Sequence, residues 1–104
     1  MVIYAEKYFE EMQEAIENID QDIVDKVIGI WKVFQNTNIN FRLGDNRIFI
    51  IGNGGSHAIA EHISTDLNKR CKVKAYTLSN NSLQTALTND YSQEDALVEW
   101  VKMN

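Results

Sequence analysis

Proline is absent from this sequence, and cysteine occurs once. Cys71 has no second thiol to pair with, so no internal disulfide can staple the fold, and a reducing, cytoplasmic setting is expected. Long hydrophobic runs are missing too: no apolar stretch approaches the length needed to span a bilayer. The N-terminus, MVIYAEKYFEEM, is acidic and amphipathic and lacks the basic start and apolar core of a secretory signal. Positive charge is scarce. Ten Lys and Arg stand against fifteen Asp and Glu, a net charge of −5 at neutral pH. An acidic chain without a Lys/Arg cluster argues against general nucleic-acid binding. Its only basic density, Lys69 to Lys74, reads as a solvated helix end and strand edge, where positive charge suits the helix dipole. Repeats and low-complexity tracts are absent as well, and 104 residues suffice for one small domain.

What is present is periodic. Residues 3–20 read as a helix, with Tyr4, Tyr8, Met12, Ala15, Ile16 and Ile19 at three- and four-residue steps and Glu6, Glu10, Glu14 and Glu17 opposite. Asp20 is placed to cap a second helix striped by Ile23, Val27, Ile30, Trp31 and Phe34. Two striped helices before any strand are a surplus of apolar surface, to be covered by a partner subunit or from within the chain. This helical pair, residues 1–35, is set apart from residues 36–104. Asn36 to Asn40 reads as a polar loop, and after Phe41 and Leu43 the Gly-Asp-Asn at 44–46 is a turn signal.

The apolar run RIFIIG at 47–52 predicts a strand buried on both faces, SHAIAEHISTDLNKR a helix, and KVKAYTL a second strand. Strand, helix, strand spells a right-handed parallel crossover and an α/β fold. Asn80 to Asp90 suits a short helix, and Ser92 with Asp95 resembles a capping box opening a last helix that stops without a C-cap. Two strands make a poor open parallel sheet, so further strands are expected either from oligomer partners or, the favoured reading, from a longer protein of which this fold is the first part.

Three glycines fall within four positions, 52–55, directly after the first strand. In a parallel sheet that loop sits at the carboxyl edge, where ligands bind. The helix it opens has unpaired N–H groups and a favourable dipole, which suits an anion, phosphate above all. The amides of Gly54, Gly55 and Ser56 and the Ser56 hydroxyl are candidate donors. A tight turn with Ser56 as N-cap is the alternative. A P-loop is excluded because no lysine follows, and the dinucleotide fingerprint fails where His57 fills its last small position. A monophosphate is therefore expected.

His57 and Glu61 are four apart, as are His62 and Asp66, so each pair shares a helix face. His62 lies beside Ile59 and Ile63, which suggests the enclosed side, with His57 and Glu61 at the rim. A histidine and a carboxylate beside a phosphate cradle are parts for proton transfer next to a carbonyl. As metal ligands they are too few, since zinc takes three or four protein ligands. Asp90, Ser79 and Asn80 follow the second strand at the same edge, as pocket-lining or turn residues.

The stretch IIGNGGSHAIAEHISTDL, with the two leading helices and LSNNSLQTALTND, resembles the first half of a sugar isomerase (SIS) domain, most closely that of the phosphoheptose isomerases. The resemblance runs from about Tyr4 to Trp100. It implies a parallel αβα sandwich assembled as a tetramer through the N-terminal helices. It implies conversion of sedoheptulose 7-phosphate to D-glycero-D-manno-heptose 7-phosphate, for bacterial lipopolysaccharide heptose, with zinc often bound. Asn53 and Ser56 match substrate-contacting positions, with Gly54 and Gly55 between them. His62 matches a zinc ligand, and Asp66 falls where many members carry a glutamate that is both metal ligand and catalytic acid/base. Asp90 matches an aspartate lining the substrate pocket. Two departures stand out. Asp66 is one methylene shorter than glutamate. The family's second half, with its Ser/Thr-rich phosphate loop, glutamine ligand and catalytic histidine, is not in this chain. Some relatives are adaptors or regulators, so a non-catalytic phosphosugar-binding module is the alternative.

Overall fold

A computed structural model describes residues 1, 3–39 and 46–104, with only the helical backbone described for 36–39. Phe41, Leu43 and the expected turn at Gly44 and Asp45 lie outside the described residues. Among the described residues there are five helices and two short strands: α1 (Tyr4–Glu17), α2 (Gln21–Ile39), β1 (Ile48–Phe49), α3 (Gly55–Cys71), β2 (Ala75–Tyr76), α4 (Asn81–Asp90) and α5 (Ala96–Met103). By its contacts the chain divides into two compact units, residues 1–30 and 31–104. Among the described residues, no helix is long and apolar enough to cross a membrane.

In the first unit, Asp20 caps α2 as the sequence predicts: its Oδ1 accepts from the amides of Asp22 and Ile23 at 3.0 and 3.2 Å. Helix α1 buries none of its residues. Tyr4, Tyr8, Met12 and Ile16 are all exposed, as are Ile19, Ile23 and Val27 beyond them. The stripes are real, and no described residue of this unit covers them.

The second unit is α/β. Its two strands pair in parallel, Ile48 opposite Ala75 and Phe49 opposite Tyr76, with α3 as the crossover. Successive strand side chains point to opposite faces. Ile48 and Ile50 accordingly pack with Leu67, Val73 and Ala75, joined by Trp31 and Phe34 of α2. Phe49 packs the other way, against the cluster of Leu78, Leu87, Ala96 and Trp100. Its ring meets the Trp100 indole edge-on, centroids 5.4 Å apart. Both faces of the sheet thus carry apolar packing, as the continuous strand run predicts.

Helix α3 lays Ala60, Ser64 and Leu67 against this core, one residue per turn. Its C-terminus is held by side chains. Asn68 Nδ2 donates to the carbonyls of Ser64 and Ala75 at 2.7 and 2.6 Å, and Gln35 Nε2 donates to the Cys71 carbonyl at 2.6 Å. The Val73 amide reaches back to the Leu67 carbonyl at 3.1 Å, which closes the helix end around Lys72 in a left-handed conformation, φ 58°. Asn80 caps α4 through its Oδ1, which accepts from the Leu83 amide at 3.1 Å. Ser92 and Asp95 form the expected reciprocal pair before α5, the Asp95 amide donating to Ser92 Oγ at 2.9 Å.

Three expectations need correction. Residues 36–39 continue α2 instead of forming a loop, because the stretch is polar but holds no glycine or proline to break a helix. Each strand has two ladder residues, far fewer than its apolar run, since extended backbone becomes ladder only where a neighbour pairs with it. Helix α5 does have a terminal cap: Asn104 Nδ2 donates to the Trp100 carbonyl at 2.8 Å.

Two outcomes follow for stability. Lys72→Gly should raise it by about 1 kcal/mol, because glycine adopts the left-handed conformation without the Cβ penalty. Trp100→Ala should lower it by about 3–5 kcal/mol by emptying the cluster beneath Phe49. Urea unfolding followed by circular dichroism measures both.

Candidate functional site

The turn from β1 into α3 is built on close backbone contact. A Cβ on Gly52 would lie 2.5 Å from the Ser56 carbonyl carbon and oxygen and 2.8 Å from the His57 nitrogen, so only glycine fits there. Gly54 has φ +55° and ψ −124°, a conformation that side-chain-bearing residues rarely adopt. It also serves as the N-cap of α3, with no side-chain oxygen on the first amides. Ser56 is therefore inside the helix and is not its cap. Its amide is already taken by the Asn53 carbonyl at 3.0 Å, while His57 and Ala58 donate to the Gly54 carbonyl at 3.1 and 3.2 Å. Of the three amides expected to face a ligand, Ser56's is closed by the turn itself. Those of Gly54 and Gly55 make no hydrogen bond within the described residues, and the space over both glycines is open.

Beside this turn lies a hollow of about 220 Å³. Gly52, Asn53 and Gly54 line it from the loop, and His57 from the first turn of α3. Thr77, just after β2, and Gln84 of α4 complete its polar lining. It stands at the carboxyl ends of both strands, where open α/β sheets bind ligands. A wider hollow of about 480 Å³ runs along the flank of α3 past Glu61, Thr65 and Ser79.

Helix α3 faces its two His–carboxylate pairs differently from the sequence expectation. His57 Nε2 is 3.3 Å from Glu61 Oε1, with side chains 30% and 47% exposed. His62 Nε2 is 3.4 Å from Asp66 Oδ2, with side chains 81% and 49% exposed. The enclosed histidine is His57, and His62 faces outward. Helical period explains why. His57 is three residues before Ala60 and seven before Ser64, on the buried stripe, whereas His62 is turned well away from both. Its neighbours Ile59 and Ile63 are themselves 60% and 36% exposed, so apolar flanks did not mark the inner side.

Of the expected substrate contacts, Asn53 and Gly54 line the first hollow. Gly55 and Ser56 are exposed beside it at the start of α3. Asp90 ends α4 on an exposed turn, its Oδ1 accepting from Asn89 Nδ2 at 3.4 Å. Asn80 is spent on capping α4. Asp66 also meets Arg70 Nε at 3.8 Å. Among the described residues, no group of three or more metal-ligating side chains comes together. His62 and Asp66 supply two donors, too few to hold zinc by themselves. Sequence reasoning missed Thr77 and Gln84. The position of Thr77 after a parallel strand is a readable signal, but nothing in the pattern around Gln84 distinguishes it, and only packing brings it to the hollow.

Comparison with known proteins gives a consistent set of relatives. A phosphoheptose isomerase of Shewanella pealeana is 40% identical over 63 residues, 55% of this chain and 32% of its own length. A probable phosphoheptose isomerase of Thermoplasma acidophilum is 32% identical over 96 residues, 86% of this chain and 49% of its own. One from Helicobacter pylori is 39% identical over 62 residues, 54% of this chain and 32% of its own. No family model and no solved structure matches the chain. The chain spans between a third and a half of the length of these curated relatives. Over most of its own length it is phosphoheptose isomerase-like in sequence, as the residues around its glycine turn indicate.

Proposed function

We propose that this chain is the phosphosugar-binding part of an aldose–ketose isomerase, acting on sedoheptulose 7-phosphate to give D-glycero-D-manno-heptose 7-phosphate. The observation that carries the reading is the pair of open amides at Gly54 and Gly55. They sit at the N-terminus of a 17-residue helix and beside a hollow at the strand ends. Unpaired amides and the helix dipole favour an oxygen of the phosphosugar there, while the Ser/Thr-rich phosphate loop that the resemblance implies lies outside this chain. The sugar would extend along Asn53, and Ser56 and Asp90 complete the substrate contacts in this reading. The parallel αβα sandwich of the SIS type, a cytoplasmic setting and a homotetramer joined through α1 and α2 belong to the same reading. The exposed apolar stripes of those two helices support self-association.

Isomerisation moves a proton between neighbouring carbons through an enediol, and its base must come within hydrogen-bond reach of the carbon. Asp66 is the candidate base, with His62 alongside to hold its carboxylate. Zinc belongs to this reading as well. Among the described residues, His62 and Asp66 would contribute ligands to it.

One observation favours a second reading. The His62–Asp66 pair faces outward and does not line the hollow beside the glycine turn. A non-catalytic module that binds phosphosugar, or serves as an adaptor, would keep the loop and make no use of that pair.

Gly55→Ala separates binding from folding. The added methyl meets nothing within 4 Å, so the melting temperature should hold or rise slightly. The methyl would stand where the anion approaches, and affinity for sedoheptulose 7-phosphate in calorimetric titration should fall at least tenfold. Unchanged affinity would remove the loop as a substrate site. Gly52→Ala, by contrast, should lower the melting temperature sharply, because the clash is with backbone. Asp66→Asn, made in a longer version that carries the family's second half, then tells the two readings apart. An isomerase should lose aldose formation, followed by NMR, and keep substrate affinity. A binding module shows no turnover even before the substitution.

A further inference from the structure

Asn53 and Gly54 form the only Asn-Gly pair in the sequence. Asparagine is chemically labile, and a glycine after it leaves the connecting peptide open because no Cβ stands in the way. Both residues are exposed, and a Cβ on Gly54 would meet nothing within 4 Å. The turn leaves the reacting groups free. The Asn53 carbonyl accepts from the Ser56 amide at 3.0 Å, but the Gly54 amide and the Asn53 carboxamide have no hydrogen-bond partner among the described residues. Other asparagines are held. Asn68 Nδ2 donates to the Ser64 and Ala75 carbonyls, Asn80 Oδ1 caps α4, and Asn104 Nδ2 donates to the Trp100 carbonyl. Asn18 precedes Ile19, whose amide donates to the Ile16 carbonyl at 3.2 Å. Asn81 opens α4 and precedes Ser82, whose side chain crowds the approach that a glycine leaves clear.

We propose that Asn53 is a spontaneous deamidation site, attacked by the free amide of Gly54. The Gly54 nitrogen bonds to Asn53 Cγ and gives up its proton. The bond from Cγ to Nδ2 breaks, and Nδ2 leaves with that proton as ammonia. Water then opens the resulting succinimide. Cleavage between Cγ and the Gly54 nitrogen leaves aspartate. Cleavage at the main-chain carbonyl leaves isoaspartate, in which Cγ carries the chain onward. Nothing is oxidised or reduced, and water is the co-reactant. Either product puts a carboxylate just ahead of the N-cap of α3, where negative charge suits the helix dipole, so the aspartate form is expected to stay folded. In the phosphosugar reading Asn53 is also a substrate contact, and a carboxylate there repels a phosphorylated ligand. That consequence rests on the phosphosugar reading, and the reaction itself does not.

The full chain, kept folded in mildly alkaline buffer and followed by peptide mapping with mass spectrometry, tests the site. Asn53 should convert at least about tenfold faster than Asn18 or Asn81, and faster still as pH rises, because the attacking amide must lose its proton. Asn53→Gln should abolish the fast acidic form, since its longer side chain closes a larger ring slowly. Melting temperatures confirm that both proteins are folded. Conversion of Asn53 in urea but not in the folded chain, or no faster than at Asn18 and Asn81, overturns the inference. The acidic fraction, separated by ion exchange, should bind sedoheptulose 7-phosphate about tenfold more weakly than the parent. Equal binding by the two overturns the consequence for substrate and leaves the modification site standing. If the parent itself does not bind, the phosphosugar reading fails, and the site still stands on the conversion rates.

Discussion

The second unit depends on how closely the chain can turn back on itself at Gly52. The missing side chain lets the end of β1 touch the first turn of α3, backbone against backbone. That contact sets where α3 starts and how it is rotated. The rotation lays Ala60, Ser64 and Leu67 on the core and puts His57 beside the strand ends. A side chain at Gly52 would have to push the helix away, moving the open amides of Gly54 and Gly55 with it. The glycine pattern is therefore both a packing device and the source of the candidate binding surface, and the two roles fall on different glycines.

Much of this was legible in the sequence, because it is local. Asp20 caps α2, Ser92 and Asp95 pair before α5, and α3 spans the residues its pattern marks. The parallel crossover followed from strand, helix and strand in order. What was not legible depends on which face turns inward. A four-residue spacing says that His62 and Asp66 share a face, and says nothing of what that face meets. Ile59 and Ile63 pointed the wrong way because they stay exposed here, so hydrophobic flanks did not identify the interior. Likewise Ser56 has the chemistry of a cap, but the tight turn moves the helix start back to Gly54. Gln84 carries no sequence signal at all, since its place is set by packing between α4, α5 and the sheet.

The first unit shows the same limit in another form. The amphipathic pattern of α1 is plain, with glutamates along one side and aromatic and aliphatic residues along the other. Pattern alone gives the shape of an apolar surface without its partner. Among the described residues, these helices present more apolar area than the first unit covers.

The brief ladder between β1 and β2 has a kinetic consequence. All of α3 lies between the two strands, so their pairing must close a long segment for the sake of two residue pairs. Loop closure costs entropy before any contact compensates for it. Helix growth in α3 is local and fast by comparison. Strand alignment is thus expected late, after Leu67 and Val73 have drawn the crossover against Trp31 and Phe34. By that entropy argument, collapse of this cluster, more than hydrogen bonding along the sheet, is the step expected to set the pace of assembly.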